Sequence, residues 1–125
     1  MPRRVGVVVV NTTPIIALSL VNQLDLLRRL YVEILIPPAV QAEVRAGGAS
    51  GVGVVELQQA YWIRITPLQD PRRADLLSDL DRGEAEVIAL AQERNADLVI
   101  IDERLAQRIY KTVCVNPKVL KMLRI

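Results

Sequence analysis

The chain has 125 residues, of which 51% are hydrophobic and 3% aromatic, and its formal net charge at pH 7 is +2. This length and composition predict one globular domain with an aliphatic core and exclude a disordered chain. Histidine is absent and Cys114 is the one cysteine, which excludes an internal disulfide, a multi-cysteine zinc site and Ser-His or Cys-His catalysis, and favours a reducing, cytoplasmic setting.

The amino-terminal segment does not fit a targeting signal or a membrane span. Arginines at 3 and 4 precede an apolar run, as in a signal peptide, but Asn-Thr-Thr-Pro at 11–14 interrupts the run and no clean small-residue cleavage site follows. No segment reaches the roughly 18 uninterrupted apolar residues of a membrane span. We therefore expect no membrane association.

The first half of the chain alternates predicted strands and helices. The run at 5–10 is continuous and β-branched, which is typical of a buried strand in a parallel sheet. Thr13 is predicted to cap the following helix, with Pro14 in its first turn. The predicted elements are a strand over 5–10, helical segments over 15–30 with a break at 22–23, a strand over 32–36, and a helix over 38–46 that the glycines at 47–48 end.

The second half continues this alternation after a glycine-rich segment at 46–53, which is predicted to be a mobile loop. The predicted elements are a helix over 54–60, an edge strand or extended connection over 61–66, a loop over 67–71, helices over 72–80 and 82–94, a strand over 98–101, a helix over 103–110, a strand over 112–115 and a helix over 118–123. Alternating strands and helices predict a three-layer α/β/α sandwich with a mainly parallel sheet.

Two polar residues follow strands of this predicted sheet, Asn11 after the first and Asp102 after the strand at 98–101. Ligands of open parallel sheets bind outside the carboxyl ends of the strands, so both residues are candidates for a binding site. Asp102 has a structural alternative, because it also suits the N-cap of the next helix.

Two glutamates lie on the apolar sides of predicted helices. Glu84 falls within the stripe formed by Val87, Ile88 and Ala91, whereas Glu86 points to the polar side shared with Glu93. Glu84 is also the third residue after Asp81, a capping-box spacing that would give it a purely structural role.

Glu43 lies between alanines and a valine on its helix, while Gln41 and Arg45 lie opposite. Its alternative is a salt bridge at the rim of the core. Three acids directed inward or to a strand end, taken together, predict a cluster that repels itself unless it is protonated or holds a cation. Oxygen ligands select Mg²⁺ or Mn²⁺, which suit phosphate substrates.

The carboxyl-terminal part of the chain is basic. No acid follows Glu103, whereas six cations do: Arg104, Arg108, Lys111, Lys118, Lys121 and Arg124. This distribution suits a phosphate-backbone ligand, and solvated helix faces are the alternative.

Four segments resemble the PIN-domain superfamily, in particular prokaryotic PIN-like proteins related to VapC toxins. They are Val-Asn-Thr-Thr-Pro-Ile-Ile-Ala-Leu at 10–18, Ile-Pro-Pro-Ala-Val-Gln-Ala-Glu-Val at 36–44, Asp-Arg-Gly-Glu-Ala-Glu-Val-Ile-Ala-Leu-Ala at 81–91 and Ala-Asp-Leu-Val-Ile-Ile-Asp-Glu-Arg-Leu-Ala at 96–106. The resemblance covers residues 5 to about 110, and it implies a cytoplasmic ribonuclease that uses Mg²⁺ or Mn²⁺, acts on single-stranded RNA, forms a homodimer and pairs with an antitoxin.

The resemblance places the metal and catalytic residues at Asn11, Glu43, Glu84 and Asp102, with the hydroxyl of Thr12 or Thr13 assisting. The family usually has aspartate where this chain has Asn11, so we expect weakened metal binding and activity. The segment after about 110 also departs from the family, which leaves the last strand and the covering of the sheet edge open. A PIN-like binding module that has lost catalysis is the main alternative; a nucleotide-binding domain is disfavoured because no glycine-rich strand-to-helix loop of the required form is present.

Overall fold

The structure, a computed structural model, describes residues 5–47, 51–112 and 120–122. Its strands are β1 (Val5–Val10), β2 (Tyr31–Ile36), β3 (Ile63–Ile65), β4 (Leu98–Ile101) and β5 (Leu120–Met122). Its helices are α1 (Thr12–Leu20), α2 (Leu26–Leu30), α3 (Pro38–Ala46), α4 (Val54–Gln59), α5 (Arg72–Asp75), α6 (Arg82–Glu93) and α7 (Glu103–Thr112).

The strands form one sheet in the order β3-β2-β1-β4-β5, and every neighbouring pair is parallel. β1 is central because its valines at 8–10 are fully buried between two neighbours. Helix α6 packs against β1 and β4, and its apolar residues Val87, Ile88 and Leu90 join the same core. The α/β/α fold with a parallel sheet, predicted from the alternation of elements, is confirmed.

Helix α1 begins two residues earlier than predicted. Asn11 is the extended N-cap residue, with φ −82° and ψ 173°, so Thr12 and Thr13 already belong to the helix and the predicted Thr13 cap is wrong. The predicted break after α1 is confirmed, since Asn22 takes a positive φ of 57° before α2 begins.

Two predictions in the second half can be compared with the structure, and one of them needs correction. The helix predicted over 72–80 ends at Asp75, because tight backbone bonds from Leu77 to Ala74 and from Leu80 to Leu77 turn the chain and bury Leu80 in the core. The edge strand predicted within 61–66 is confirmed as β3.

The predicted terminal helix at 118–123 is wrong where the chain is described, because residues 120–122 form β5. This strand hydrogen-bonds to β4 with Val99 opposite Leu120, and so covers an edge that would otherwise expose unpaired backbone groups. Thr112 is the last residue of α7 and not the start of a strand. The rest of the strand predicted over 112–115, including Cys114, lies outside the described residues.

In the parts of the chain that the structure describes, no helix is long and apolar enough to cross a membrane.

Candidate functional site

The topology creates a switch point between β1 and β4. The chain leaves β1 for its neighbour β2 on one side, whereas β4 lies on the other side of β1. Asn11 directly follows β1 and Asp102 directly follows β4, and the Asn11 backbone N–H donates to the Ile100 carbonyl at 3.0 Å. The two predicted strand-end residues therefore lie at the carboxyl ends of adjacent parallel strands, where open α/β sheets bind ligands.

Asn11 contributes a buried side-chain oxygen at the end of β1. The residue is 4% exposed, and its Oδ1 accepts no hydrogen bond from any described residue. A buried acceptor left without a partner costs about 1–3 kcal/mol, so this oxygen calls for a donor, an ordered water or a cation. Whether a cation can bind this oxygen depends on where the candidate acids Glu43, Glu84 and Asp102 lie relative to it.

Glu43 joins three helices at this rim. Its Oε2 accepts a 2.7 Å hydrogen bond from the Thr12 hydroxyl of α1, and its Oε1 lies so close to Gly83 of α6 that an added Cβ there would be 1.7 Å away. The carboxylate thus lies at the amino terminus of α6, whose partial positive charge favours an anion. Glycine at position 83 is what leaves room for it.

Glu84 is buried beside that contact, with 8% exposure. Its Oε1 accepts from the Asp81 backbone N–H at 3.1 Å, and the Asp81 side chain accepts from the Glu84 N–H at 2.8 Å, which completes a capping box. Its Oε2 accepts from the Arg108 guanidinium of α7. Burial raises the pKa of the Glu84 carboxyl above its usual value, and the nearby Asp81 adds to this, while its hydrogen bond from Asp81 and the Arg108 charge oppose it.

Asp102 begins α7. Its Oδ1 accepts from the Leu105 backbone N–H at 2.8 Å, so the N-cap role weighed from the sequence is observed. The other oxygen, Oδ2, takes no part in that cap. Capping and metal binding are therefore compatible for Asp102, as they are for Glu84, because each role needs a different carboxylate oxygen.

These residues carry the oxygen donors that a hard divalent cation binds, but in the described part of the chain their acids are not grouped as a complete metal site. The amide and carboxylate oxygens are the ligands that Mg²⁺ and Mn²⁺ prefer. Within residues 5–47, 51–112 and 120–122, however, no three Asp, Glu, Cys or His side chains are grouped so as to hold a metal ion. The contact of Arg108 with Glu84 places a cationic side chain on an oxygen that a metal ion would need.

Surface depressions of about 280–300 Å³ lie elsewhere on the molecule, beside α3 and β3, around Trp62 and around Arg64. None of these three is lined by Asn11, Glu43, Glu84 or Asp102. The candidate site is therefore identified by its residues and not by a cavity.

Sequence reasoning missed three contacts. Gly83 leaves space for the Glu43 carboxylate, and Arg108 forms an ion pair with Glu84. In both contacts the two residues lie far apart in the chain. Glu93, predicted on the polar side of α6, has a side chain that is only 4% exposed, because it accepts from the Gln69 and Asp70 N–H groups at 2.8 and 2.9 Å. Glu93 anchors the loop before α5 and has a structural role.

Of the basic residues that follow Glu103, the structure describes the side chains of Arg104 and Arg108, both exposed on α7. The side chains of Lys111, Lys118, Lys121 and Arg124 lie outside the described set. The basic-surface prediction therefore stays a prediction for most of its residues.

Comparison with protein families gives one match: a family model described as DUF3368, a PIN domain, matches residues 7–116. No curated protein and no solved structure matches the chain. PIN domains are generally nucleases that use divalent metal ions.

Proposed function

We propose that this chain, which belongs to the PIN-domain family, is a Mg²⁺- or Mn²⁺-dependent ribonuclease that hydrolyses phosphodiester bonds in single-stranded RNA. One observation carries the proposal. Asn11 and Asp102 directly follow adjacent strands, and Glu43 contacts Thr12 of α1 and Gly83 of α6, the residue before Glu84. These contacts support the proposal that all four residues would contribute oxygen ligands at one rim of the sheet.

The residues would divide the work as follows. Asn11 Oδ1, Glu43, Glu84 Oε2 and Asp102 Oδ2 would hold the ion, which when bound supplies an activated water and charge stabilisation for phosphodiester hydrolysis. Thr12 orients Glu43 through its 2.7 Å hydrogen bond. Arg104, exposed on α7, adds positive charge that attracts the RNA backbone.

Asn11 makes this a weak nuclease. An amide oxygen coordinates a cation but brings no negative charge, so the site has one negative charge fewer with which to attract and hold the metal ion. The VapC-like toxin activity, the antitoxin partner and the homodimer implied by resemblance remain predictions.

A second candidate function is a binding module built on the same fold without catalysis. The observation that favours it is the use of Glu84 and Asp102 in helix caps, together with the ion pair between Glu84 and Arg108. In that case the acids would be structural, and the rim would not gain stability from a metal ion.

The test is cleavage of a labelled single-stranded RNA by purified protein with Mn²⁺. Glu84→Gln should abolish cleavage, whereas Glu86→Gln is the matched control, because Glu86 lies on the same helix and pairs with Arg82 at the surface. Mn²⁺ should also raise the melting temperature of the wild-type protein and not that of Glu84→Gln. Cleavage unchanged in Glu84→Gln would remove Glu84 from the mechanism, and a wild-type protein that neither cleaves nor gains stability would favour the binding module.

A further inference from the structure

The ion pair between Glu84 and Arg108 joins a buried carboxylate to a half-exposed guanidinium. The Glu84 side chain is 11% exposed and the Arg108 side chain 48% exposed. A carboxylate removed from water needs a cationic or hydrogen-bonding partner, whereas a guanidinium at the surface regains water when it leaves. Glu84 therefore needs a positive or hydrogen-bonding partner in its buried position, whereas the Arg108 side chain is already half in solvent.

The two oxygens of Glu84 have separate partners. Oε1 accepts from the Asp81 N–H and so fixes the start of α6, which ties the side-chain conformation to the helix. Oε2 accepts from Arg108. A cation at the rim can take Oε2 without disturbing the cap, but it cannot do so while the guanidinium stays in place, because two positive groups on one oxygen repel each other.

Arg108 lies on α7, the helix that the candidate ligand Asp102 caps. The Leu105 backbone N–H donates to Asp102 Oδ1 and so forms this cap. The position of Arg108 is thus coupled to the strand end of β4, on which one of the candidate ligands lies.

We propose that Arg108 is a positioning residue that competes with the divalent cation for Glu84 Oε2 and thereby sets the metal affinity of the rim. This inference rests on the proposed function. In the metal-free protein the guanidinium holds Glu84 in its ligand conformation and neutralises it. With a cation held by Oε2, the Arg108 guanidinium would turn towards solvent, where its charge would be able to meet an RNA phosphate.

The experiment is Mn²⁺ binding to the purified full chain, followed by electron paramagnetic resonance of the unbound ion. Arg108→Gln should bind Mn²⁺ about tenfold more tightly than wild type, the size of effect expected when one charge-assisted hydrogen bond no longer competes. Arg104→Gln is the matched control, because it removes the same charge from an exposed position of α7. It should change the affinity by less than about twofold, as screened surface charges do.

Arg108→Lys provides a second variant if Arg108→Gln folds poorly, and its affinity should lie between those of wild type and Arg108→Gln. Unchanged or weaker Mn²⁺ binding in both Arg108 variants, with measurable wild-type binding, would overturn the inference alone. Equal gains in Arg108→Gln and Arg104→Gln would also overturn it, since the effect would then be general electrostatics. No Mn²⁺ binding in any of the proteins would overturn the proposed function together with the inference.

Discussion

Gly83→Ala should separate the activity of this protein from its stability. Gly83 is the second residue of α6, where alanine suits the helix better than glycine. The added Cβ would lie 1.7 Å from Glu43 Oε1, and real Cβ contacts under 3.0 Å essentially never occur. The carboxylate must therefore move by at least 1.3 Å, the difference between 3.0 and 1.7 Å.

The stability terms of this substitution nearly cancel. Alanine in place of glycine gains up to about 1 kcal/mol in a helix. Displacing Glu43 weakens its hydrogen bond with Thr12, which costs about 0.5–1.5 kcal/mol. The atom in the way is the end of a flexible side chain, so Glu43 moves and α6 does not. A displacement on the order of 1 Å in an active site costs about 10²-fold in rate.

The assay compares RNA cleavage with Mn²⁺ and the melting temperature of the same preparation. Gly6→Ala is a matched control, because its Cβ would also meet a carboxylate oxygen, Asp97 Oδ2 at 2.3 Å, at the opposite end of β1. It should keep the activity of the folded protein even where it lowers stability. A folded Gly83→Ala protein that cleaves RNA at the wild-type rate would refute the role given to Glu43.

Three other substitutions test the rim. In the wild type, burial raises the pKa of the Glu84 carboxyl, so its protonated form stabilises the fold below the unfolded-state pKa, and this stabilisation is lost as pH rises through the folded-state pKa. Glu84→Gln lacks this group, so the melting temperature of the metal-free variant relative to wild type should increase from pH 4 to pH 7. A constant difference would contradict this. Asn11→Asp should increase Mn²⁺-dependent cleavage and lower metal-free stability by about 1–3 kcal/mol, because it buries a charge, and unfolding in urea with and without Mn²⁺ measures both. Thr12→Val should lower cleavage by removing the 2.7 Å hydrogen bond to Glu43, whereas Thr13→Val should not; equal rates in these two variants would count against an orienting role for Thr12.

Local signals account for the parts of the fold that could be predicted. The continuous valines of β1 predict a buried central strand because no face of it is left for water. Pro38 predicts the start of α3, and the capping-box spacing of Asp81 and Glu84 predicts the start of α6. Both helices begin where these local signals indicate. The predicted terminal helix over 118–123 was wrong because residues 120–122 pair with the open edge of β4 as strand β5. Their conformation depends on this pairing and not on their own local sequence.

The candidate site could be predicted only in outline. Helical periodicity placed Glu84 on the buried side, which its 8% exposure confirms. Periodicity cannot distinguish a cap from a ligand, because both roles use the same helix face, and the structure separates them only by oxygen atom. The Arg108 contact spans 24 residues of sequence and depends on how α7 packs, so no local pattern could reveal it.

The most direct measurement is a crystal structure of the protein soaked in Mn²⁺, with anomalous diffraction to locate the ion. We expect an Mn²⁺ peak bounded by Asn11 Oδ1, Glu43 and Asp102, with Glu84 Oε2 on the ion and the Arg108 guanidinium turned away. Saturating Mn²⁺ that leaves this rim without an anomalous peak, and Arg108 still bound to Glu84, would contradict the proposal that these oxygens form a metal site.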